Sequence, residues 1–149
     1  MIPRGALIFF VVGVVSAGAL GAYLFQISGQ TPKLVYQDGP SLTIIPDKIN
    51  YLMGQTVHIR VIDSGTVPLT FSDSSFGLKI RGLDGEIIYS PPSGNGQTQL
   101  LPHQEKLFMW NQTRTGGGKV FEGRYKIECN TSPEAGAELK KSVTINIFQ

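Results

Sequence analysis

The chain of 149 residues has few of the side chains that catalysis and metal binding require. It contains one cysteine, Cys129, two histidines, His58 and His103, and one tryptophan. A single cysteine cannot form an intrachain disulfide, so the fold must be held by its hydrophobic core. No nucleophile elbow of the G-x-S-x-G kind occurs, and the glycine-rich stretch 115–119 lacks the spacing of a phosphate-binding loop. We therefore expect that the protein is not an enzyme and that it has neither a cofactor nor a metal site.

The sequence also lacks an excess of either charge. It has 13 Lys and Arg against 11 Asp and Glu, a net charge of +2 at pH 7, with the two signs interspersed. Neither a basic stripe of the kind that binds nucleic acid nor an acidic tract can be seen in the sequence. We expect a protein partner, and neither a nucleic acid nor a small-molecule substrate.

One long segment has no charge at all. Residues 5–25, GALIFFVVGVVSAGALGAYLF, are almost entirely apolar, and a helix of that length covers about 30 Å, the thickness of a bilayer core. The pattern predicts a signal anchor, a transmembrane helix within residues 1–27, so that the lipid bilayer is a further partner. Arg4 precedes the run and the next cation is Lys33. The positive-inside rule therefore places the N-terminus in the cytoplasm and the C-terminal domain outside the cell.

Two other interpretations of the N-terminal segment remain open. Small residues at 19–21 fit a signal-peptide cleavage site, and Arg4-Gly5-Ala6 resembles the cleavage pattern of archaeal prepilins, which implies a pilin-like filament subunit. The apolar run also has small residues four positions apart, where two helix backbones can approach closely in lipid. These residues predict a helix–helix contact and a homo- or hetero-oligomer: Gly13, Ala17 and Gly21.

A polar, glycine- and proline-containing linker is predicted over residues 28–40, and a single domain over 41–149. In the domain, apolar and polar residues alternate in short runs separated by turn signals, as in Thr56–Asp63, where every second residue is apolar. The pattern predicts an all-β protein, an immunoglobulin-like β-sandwich of seven to nine strands. The predicted strands are 41–46, 56–63, 68–72, 77–81, 86–89, 104–112, 120–130 and 142–148.

Positions within this pattern predict the core and the exposed loops. Trp110, Tyr125 and Cys129 are expected to be buried, while Phe76 is either a core residue or an exposed anchor. Residues 90–99 have the composition of a loop, in which a proline pair is followed by two glycines. The candidate partner-binding segment of this loop is Ser90, Pro91, Pro92, Ser93, Gly94, Asn95 and Gly96. Two N-x-S/T tripeptides predict glycosylation at Asn111 and Asn130.

The order of motifs along residues 41–148 resembles a known family, the BsuPI-type intracellular proteinase inhibitor domain. The residues that carry the resemblance are Ser64-Gly65, Leu69, Phe71, Asp84-Gly85, Tyr89, Pro102-His103-Gln104, Trp110 and Gly123-Arg124-Tyr125. The resemblance implies an immunoglobulin-like sandwich and, as a function, proteinase inhibition. The chain departs from the family in its predicted anchor, which places the domain outside the cell. One anchor followed by such a domain also resembles the layout of archaellum stator proteins.

The sequence thus favours a single-pass, membrane-anchored extracytoplasmic β-sandwich. We expect it to act as a protein-binding or structural module, for example as a subunit of a larger membrane or surface complex. A membrane-tethered proteinase inhibitor is the first alternative. A pilin-like filament subunit or an archaellum stator component is the second.

Overall fold

The computed structural model describes residues 31–133 and 136–149. Contacts group Thr31–Gln149 into one compact unit, and this unit is the subject here. The predicted span 5–25, with its contact residues Gly13, Ala17 and Gly21, lies outside the described residues. Among the residues that are described, no helix has the length and apolar character needed to cross a membrane.

The described part of the chain consists of β-strands joined by turns and loops, which confirms the all-β prediction. Ten strands are present within it, one more than the upper end of the predicted range of seven to nine and two more than the eight segments predicted. The unpredicted strands, β2 and β7, have three residues each, too few for an alternating pattern to show. The strands are β1 Leu42–Pro46, β2 Asn50–Leu52, β3 Val57–Asp63, β4 Leu69–Phe71, β5 Lys79–Gly82, β6 Ile87–Tyr89, β7 Thr98–Leu100, β8 Glu105–Trp110, β9 Gly123–Asn130 and β10 Lys140–Phe148.

The strands form three sheets. A three-stranded sheet has the order β1-β3-β8, and a five-stranded sheet has the order β2-β10-β9-β5-β6. A two-stranded sheet pairs β4 with β7. All pairs are antiparallel except β2 with β10, which run parallel.

Strand alternation divides each sheet into an inner and an outer face. In β3, Val57, Ile59 and Val61 are fully buried, while Arg60 between them is exposed. In β9 and β10 the alternate residues Ile127 and Ile145 are fully buried as well. The inner residues of all three sheets belong to one hydrophobic cluster. Each large aliphatic side chain buried there contributes about 1.5–3 kcal/mol.

Aromatic residues link the two larger sheets through this core. Trp110 of β8 is 1% exposed, and its ring lies 5.8 Å from that of Tyr125 in β9. The burial of Trp110, Tyr125 and Cys129 confirms the sequence prediction. Phe76 is also buried, with its ring 4.5 Å from Phe71, so it is a core residue and not an exposed anchor.

Several predicted boundaries were wrong by two or three residues: β5 begins at Lys79, β8 ends at Trp110 and β10 begins at Lys140. The segment predicted as loop to Gln99 ends earlier, because Thr98 and Gln99 pair with β4. The strand predicted from Val120 begins only at Gly123. Val120 is buried, but its N–H donates to the Gln112 carbonyl in a local turn, so it packs into the core without joining the β9–β10 ladder.

The end of β3 contains a buried acid without a full set of partners. Asp63 is 0% exposed, and its Oδ1 accepts a hydrogen bond from the Gly65 N–H at 2.9 Å. Its Oδ2 is buried without a hydrogen-bond partner. Burial raises the pKa of Asp63 above its ordinary value of 3.8, although nearby N–H groups and His103 act against the shift. The folded state therefore holds the Asp63 proton more tightly than the unfolded chain does.

The raised pKa of Asp63 leads to a prediction of how the stability of the domain changes with pH. The stability that the protonated Asp63 carboxyl contributes to the folded state is fully present below pH 3.8, its ordinary pKa. This stability is lost as the pH rises through the raised pKa of the folded state. The Asp63→Asn variant has no such titration. We therefore expect the free energy of unfolding of the variant, relative to wild type, to rise with pH over this range. Urea unfolding of both proteins at a series of pH values measures the difference; a difference that stays constant or falls with pH would contradict the prediction.

Candidate functional site

The predicted partner-binding segment lies in the connection between β6 and β7. Ser90 and Pro91 are half-buried, and residues 92–97 are exposed. The connection therefore leaves the domain surface after Pro91 and returns to it at Thr98. The part presented to solvent consists of Pro92, Ser93, Gly94, Asn95 and Gly96, followed by Gln97.

Hydrogen bonds fix the loop at its start and near its middle. The Ser90 N–H donates to Thr115 Oγ1 at 3.1 Å, and Ser90 Oγ donates to the Leu78 carbonyl at 3.3 Å. Further on, the Gly94 N–H donates to Ser74 Oγ at 2.9 Å. A loop held at two points loses less conformational entropy when it binds a partner than a free loop does.

The supporting residue Ser74 lies in a turn that the local sequence specifies. Asp73 Oδ1 accepts a hydrogen bond from the Ser75 N–H at 2.7 Å, the bond of an Asx turn. Phe76 then has a positive φ of 56°, unusual for a bulky residue, while its ring fills the core. Gly77 follows with φ 61°, and a Cβ there would lie 2.5 Å from Asn130 Oδ1. Burial of the Phe76 ring thus holds the strained turn that positions Ser74.

The exposed part of the loop carries apolar, polar and main-chain groups. Its exposed segment offers the Pro92 ring, the Ser93 hydroxyl, the Asn95 amide and main-chain groups. None of these is ionisable. Across residues 31–133 and 136–149, no group of three or more His, Cys, Asp or Glu side chains is placed to hold a metal ion. Cys129 is buried, and burial raises the pKa of its thiol, so the reactive thiolate form is disfavoured.

The two predicted glycosylation sites differ in their surroundings. Asn111 is exposed, and its Oδ1 accepts a hydrogen bond from Thr113 Oγ1 at 2.6 Å. Asn130 is half-buried at the end of β9 and donates to Glu138. Thr131 and Ser132 of the second site are buried. Asn111 is therefore the more accessible of the two.

The structure joins sequence features that looked separate. The hydrogen bonds from Ser90 and Gly94 connect the loop 90–96 to the glycine-rich stretch 115–119 and to the turn that contains Ser74. Nothing in the sequence pairs Ser74 with Gly94, because such a contact depends on how β4 to β7 are placed. The other sequence candidates do not converge on this loop: none of the hydrogen bonds described for Asn111 and Asn130 reaches it.

The sequence matches no family model and no curated protein.

Proposed function

We propose that the chain is a single-pass membrane-anchored extracytoplasmic module that binds a protein partner as part of a larger complex. The observation that carries the proposal is the exposed loop 90–96, which is fixed by its hydrogen bonds to Thr115, Leu78 and Ser74. The apolar run 5–25 and the preceding Arg4 support the anchor and its orientation. The compact unit Thr31–Gln149 supports a separate folded domain after the anchor.

We further propose that this domain is an immunoglobulin-like sandwich. Trp110 and Tyr125, one from each of the two larger sheets, stack edge to face in the shared core. The Tyr125 hydroxyl donates to the Phe121 carbonyl at 2.7 Å, four residues upstream at the entry to β9. A tyrosine hydroxyl that bonds back to the preceding chain near the start of a late strand is a feature of immunoglobulin-like domains, the tyrosine corner. The motif order that resembles BsuPI-type domains agrees with this fold.

The anchor and its orientation make a direct prediction. Protease treatment of intact cells should release the domain from the chain, while a tag at the N-terminus should stay protected. Immunoblots for tags at either end, with and without permeabilisation, measure this. A protected C-terminal tag, or a mature chain that begins near residue 22, would show that the proposed anchoring is wrong.

The loop makes a second prediction. Replacing residues 91–96 by a glycine–serine linker of equal length removes the proline pair and loosens the exposed backbone. We expect crosslinking to the partner in cells to fall at least about tenfold, the equivalent of about 1.4 kcal/mol. The control changes Gly116 to Ser at the neighbouring hairpin, where an added Cβ meets nothing within 4 Å; it keeps Thr115 and should bind as wild type. Equal crosslinking by the wild type, the loop variant and the control would show that the partner contacts another part of the chain.

A membrane-tethered proteinase inhibitor is the second candidate. The observation that favours it is the same fixed loop, since a preorganised exposed segment suits a rigid contact with an enzyme cleft. The soluble domain 31–149 separates the two functions, because an inhibitor loop travels with the domain. We expect no inhibition of serine proteases by this fragment. Stoichiometric inhibition that the 91–96 replacement abolishes would instead establish the inhibitor.

A further inference from the structure

The outer face of the five-stranded sheet gathers positive charge from three strands. Alternation in β5, β9 and β10 turns Ile80, Ile127 and Ile145 into the core, and their neighbours outward. Register then places Arg81 opposite Lys126, and Lys79 opposite Glu128. We call this surface the basic face. Its five cationic residues are Lys79, Arg81, Arg124, Lys126 and Lys140.

The one acid on the strands of this face is already neutralised. The Glu128 side chain is 6% exposed and forms an ion pair with Arg81. The ammonium groups of Lys126 and Lys140 lie 3.8 Å and 3.7 Å from its Oε2. Burial disfavours the charge of Glu128, but these cations hold its pKa below the usual range. Glu128 thus fixes these cations in place. Glu122 lies beside Arg124 and Phe148 and Glu138 accepts a hydrogen bond from Asn130, so the five cations of the basic face exceed the acids on and beside it, and its net charge is positive.

The outer face of the other large sheet is different. There Arg60 pairs with Glu105 at 3.2 Å, and His58 lies 3.6 Å from Asp47. Arg60 and Glu105 balance each other there, while the Asp47 carboxylate lies beside the His58 imidazole. The small net charge of the chain therefore conceals a domain that is polarised, with one positive face and one balanced face.

The shape of the basic face suits an extended anionic surface. Its cations are spread over several cross-strand rows of an open sheet, and the polar residues Ser142, Thr144 and Asn146 of β10 extend these rows at one side. At the far end of the same face Leu52 and Phe148 are exposed neighbours on β2 and β10. Basic residues beside exposed apolar ones are the combination that binds the headgroup region of a bilayer.

The path of the chain favours the bilayer as the occupant. Pro32 and Lys33 line one cleft together with Lys141, Ser142 and Val143 at the start of β10, so the linker meets the domain at the margin of the basic face. About seven residues separate Pro32 from the end of the predicted span, which bounds the tether at about 25 Å. Such a tether gives an effective concentration in the millimolar range, at which weak contacts are populated.

We propose that the basic face docks the domain onto the anionic headgroups of the membrane in which the chain is anchored. The inference rests on the proposed anchoring. Docking would hold the domain flat against the bilayer, so that loop 90–96 is presented in a fixed orientation instead of sampling the full reach of the linker. It would be weakened by salt, because exposed charges are screened over about 8 Å at physiological ionic strength.

The test uses the domain without its anchor, so that its outcome does not depend on the span. Residues 31–149 contain every member of the core cluster and are mixed with vesicles of phosphatidylcholine alone or with phosphatidylglycerol. We expect flotation only with the anionic vesicles, lost when salt rises from about 0.05 M to about 0.5 M. Absence of binding to anionic vesicles at low salt would overturn the proposal, whereas the anchor itself is tested separately by protease treatment of cells.

Two triple variants locate the contact. The face variant changes Lys79, Arg124 and Lys126 to Gln and keeps Arg81 and Lys140 on Glu128. The control changes Arg60, Lys106 and Lys119 to Gln, which removes the same charge from β3, β8 and the hairpin after β8. At about fivefold for each cation near an anionic surface, the face variant should bind about a hundredfold more weakly, and the control within a few-fold of wild type.

The remaining outcomes decide against the proposal. An equal loss in both variants would mean that net charge alone matters and not the face. Tighter binding of the wild-type domain to soluble poly-glutamate than to anionic vesicles would assign the face to an acidic protein. Circular dichroism of both variants checks that the fold is retained, and the salt dependence of the wild-type domain tests docking without any substitution.

Discussion

The variant Trp110→Ala should lose about 3–5 kcal/mol of unfolding free energy. Trp110 is 1% exposed and is the largest fully buried side chain in the described core. Its ring contacts Tyr125 at 5.8 Å and Tyr89 at 6.2 Å between ring centres, so it joins β8 to the opposite sheet. Its Nε1–H donates to the Thr113 carbonyl at 2.8 Å. Truncation removes the buried area, leaves a cavity and takes the donor from Thr113.

This loss is comparable to the whole stability of an ordinary domain, which is about 5–15 kcal/mol. We therefore expect the Ala variant to be largely unfolded at 37 °C. Trp110→Phe is the matched control, because it keeps most of the ring volume and should lose only about 1–2 kcal/mol. Urea unfolding followed by circular dichroism measures both. The wild-type emission should be that of a buried indole, since Trp110 is the only tryptophan; a hydrated emission maximum or a cooperative Ala variant of normal stability would refute this role.

The second large effect is expected at Gly65, where the linker crosses the end of β3. A Cβ on Gly65 would lie 2.1 Å from the Gly39 carbonyl oxygen and 2.6 Å from the Ser41 nitrogen. Both are backbone atoms. They are held in place because Thr66 N–H donates to the Gly39 carbonyl and the Ser41 and Ser64 hydroxyls bond at 2.8 Å. No side-chain rotation can relieve the clash.

We expect Gly65→Ala to lower the free energy of unfolding by about 3 kcal/mol or more. The matched control is Gly116→Ala, where an added Cβ meets nothing within 4 Å and the effect should stay within about 0.5 kcal/mol. Thermal unfolding of the two variants beside wild type measures the difference. Equal melting temperatures for all three proteins would show that the backbone of Gly39–Ser41 moves to make room for a Cβ on Gly65, and would contradict the prediction.

Most strands could be predicted because their information is local. In β3 and β10 apolar residues recur at every second position, and a strand places alternate residues on opposite faces whatever it pairs with. The same reasoning identified Trp110 and Tyr125 as core residues, and their burial confirms it. The short strands β2 and β7 could not be predicted, since three residues carry no period and their pairing with β10 and β4 comes from the packed domain.

The candidate loop was predicted only as a segment of suitable composition. Its proline pair and glycines indicated exposure, and residues 92–96 are exposed. Its support from Ser74 and Thr115 was not predictable. Those residues lie on other connections, and their distance from the loop depends on how the sheets pack.

By itself, the sequence determined the all-β class, the core positions and the apolar run 5–25, because each depends on the order of neighbouring residues. The tertiary structure alone decided where the charges lie. Lys79, Lys126 and Lys140 are dispersed among acids along the chain, and the sequence therefore indicated no basic stripe. Strand register places them together around Glu128. Register is fixed by burial of the opposite, apolar face, so the basic face is a consequence of core packing and not of local sequence.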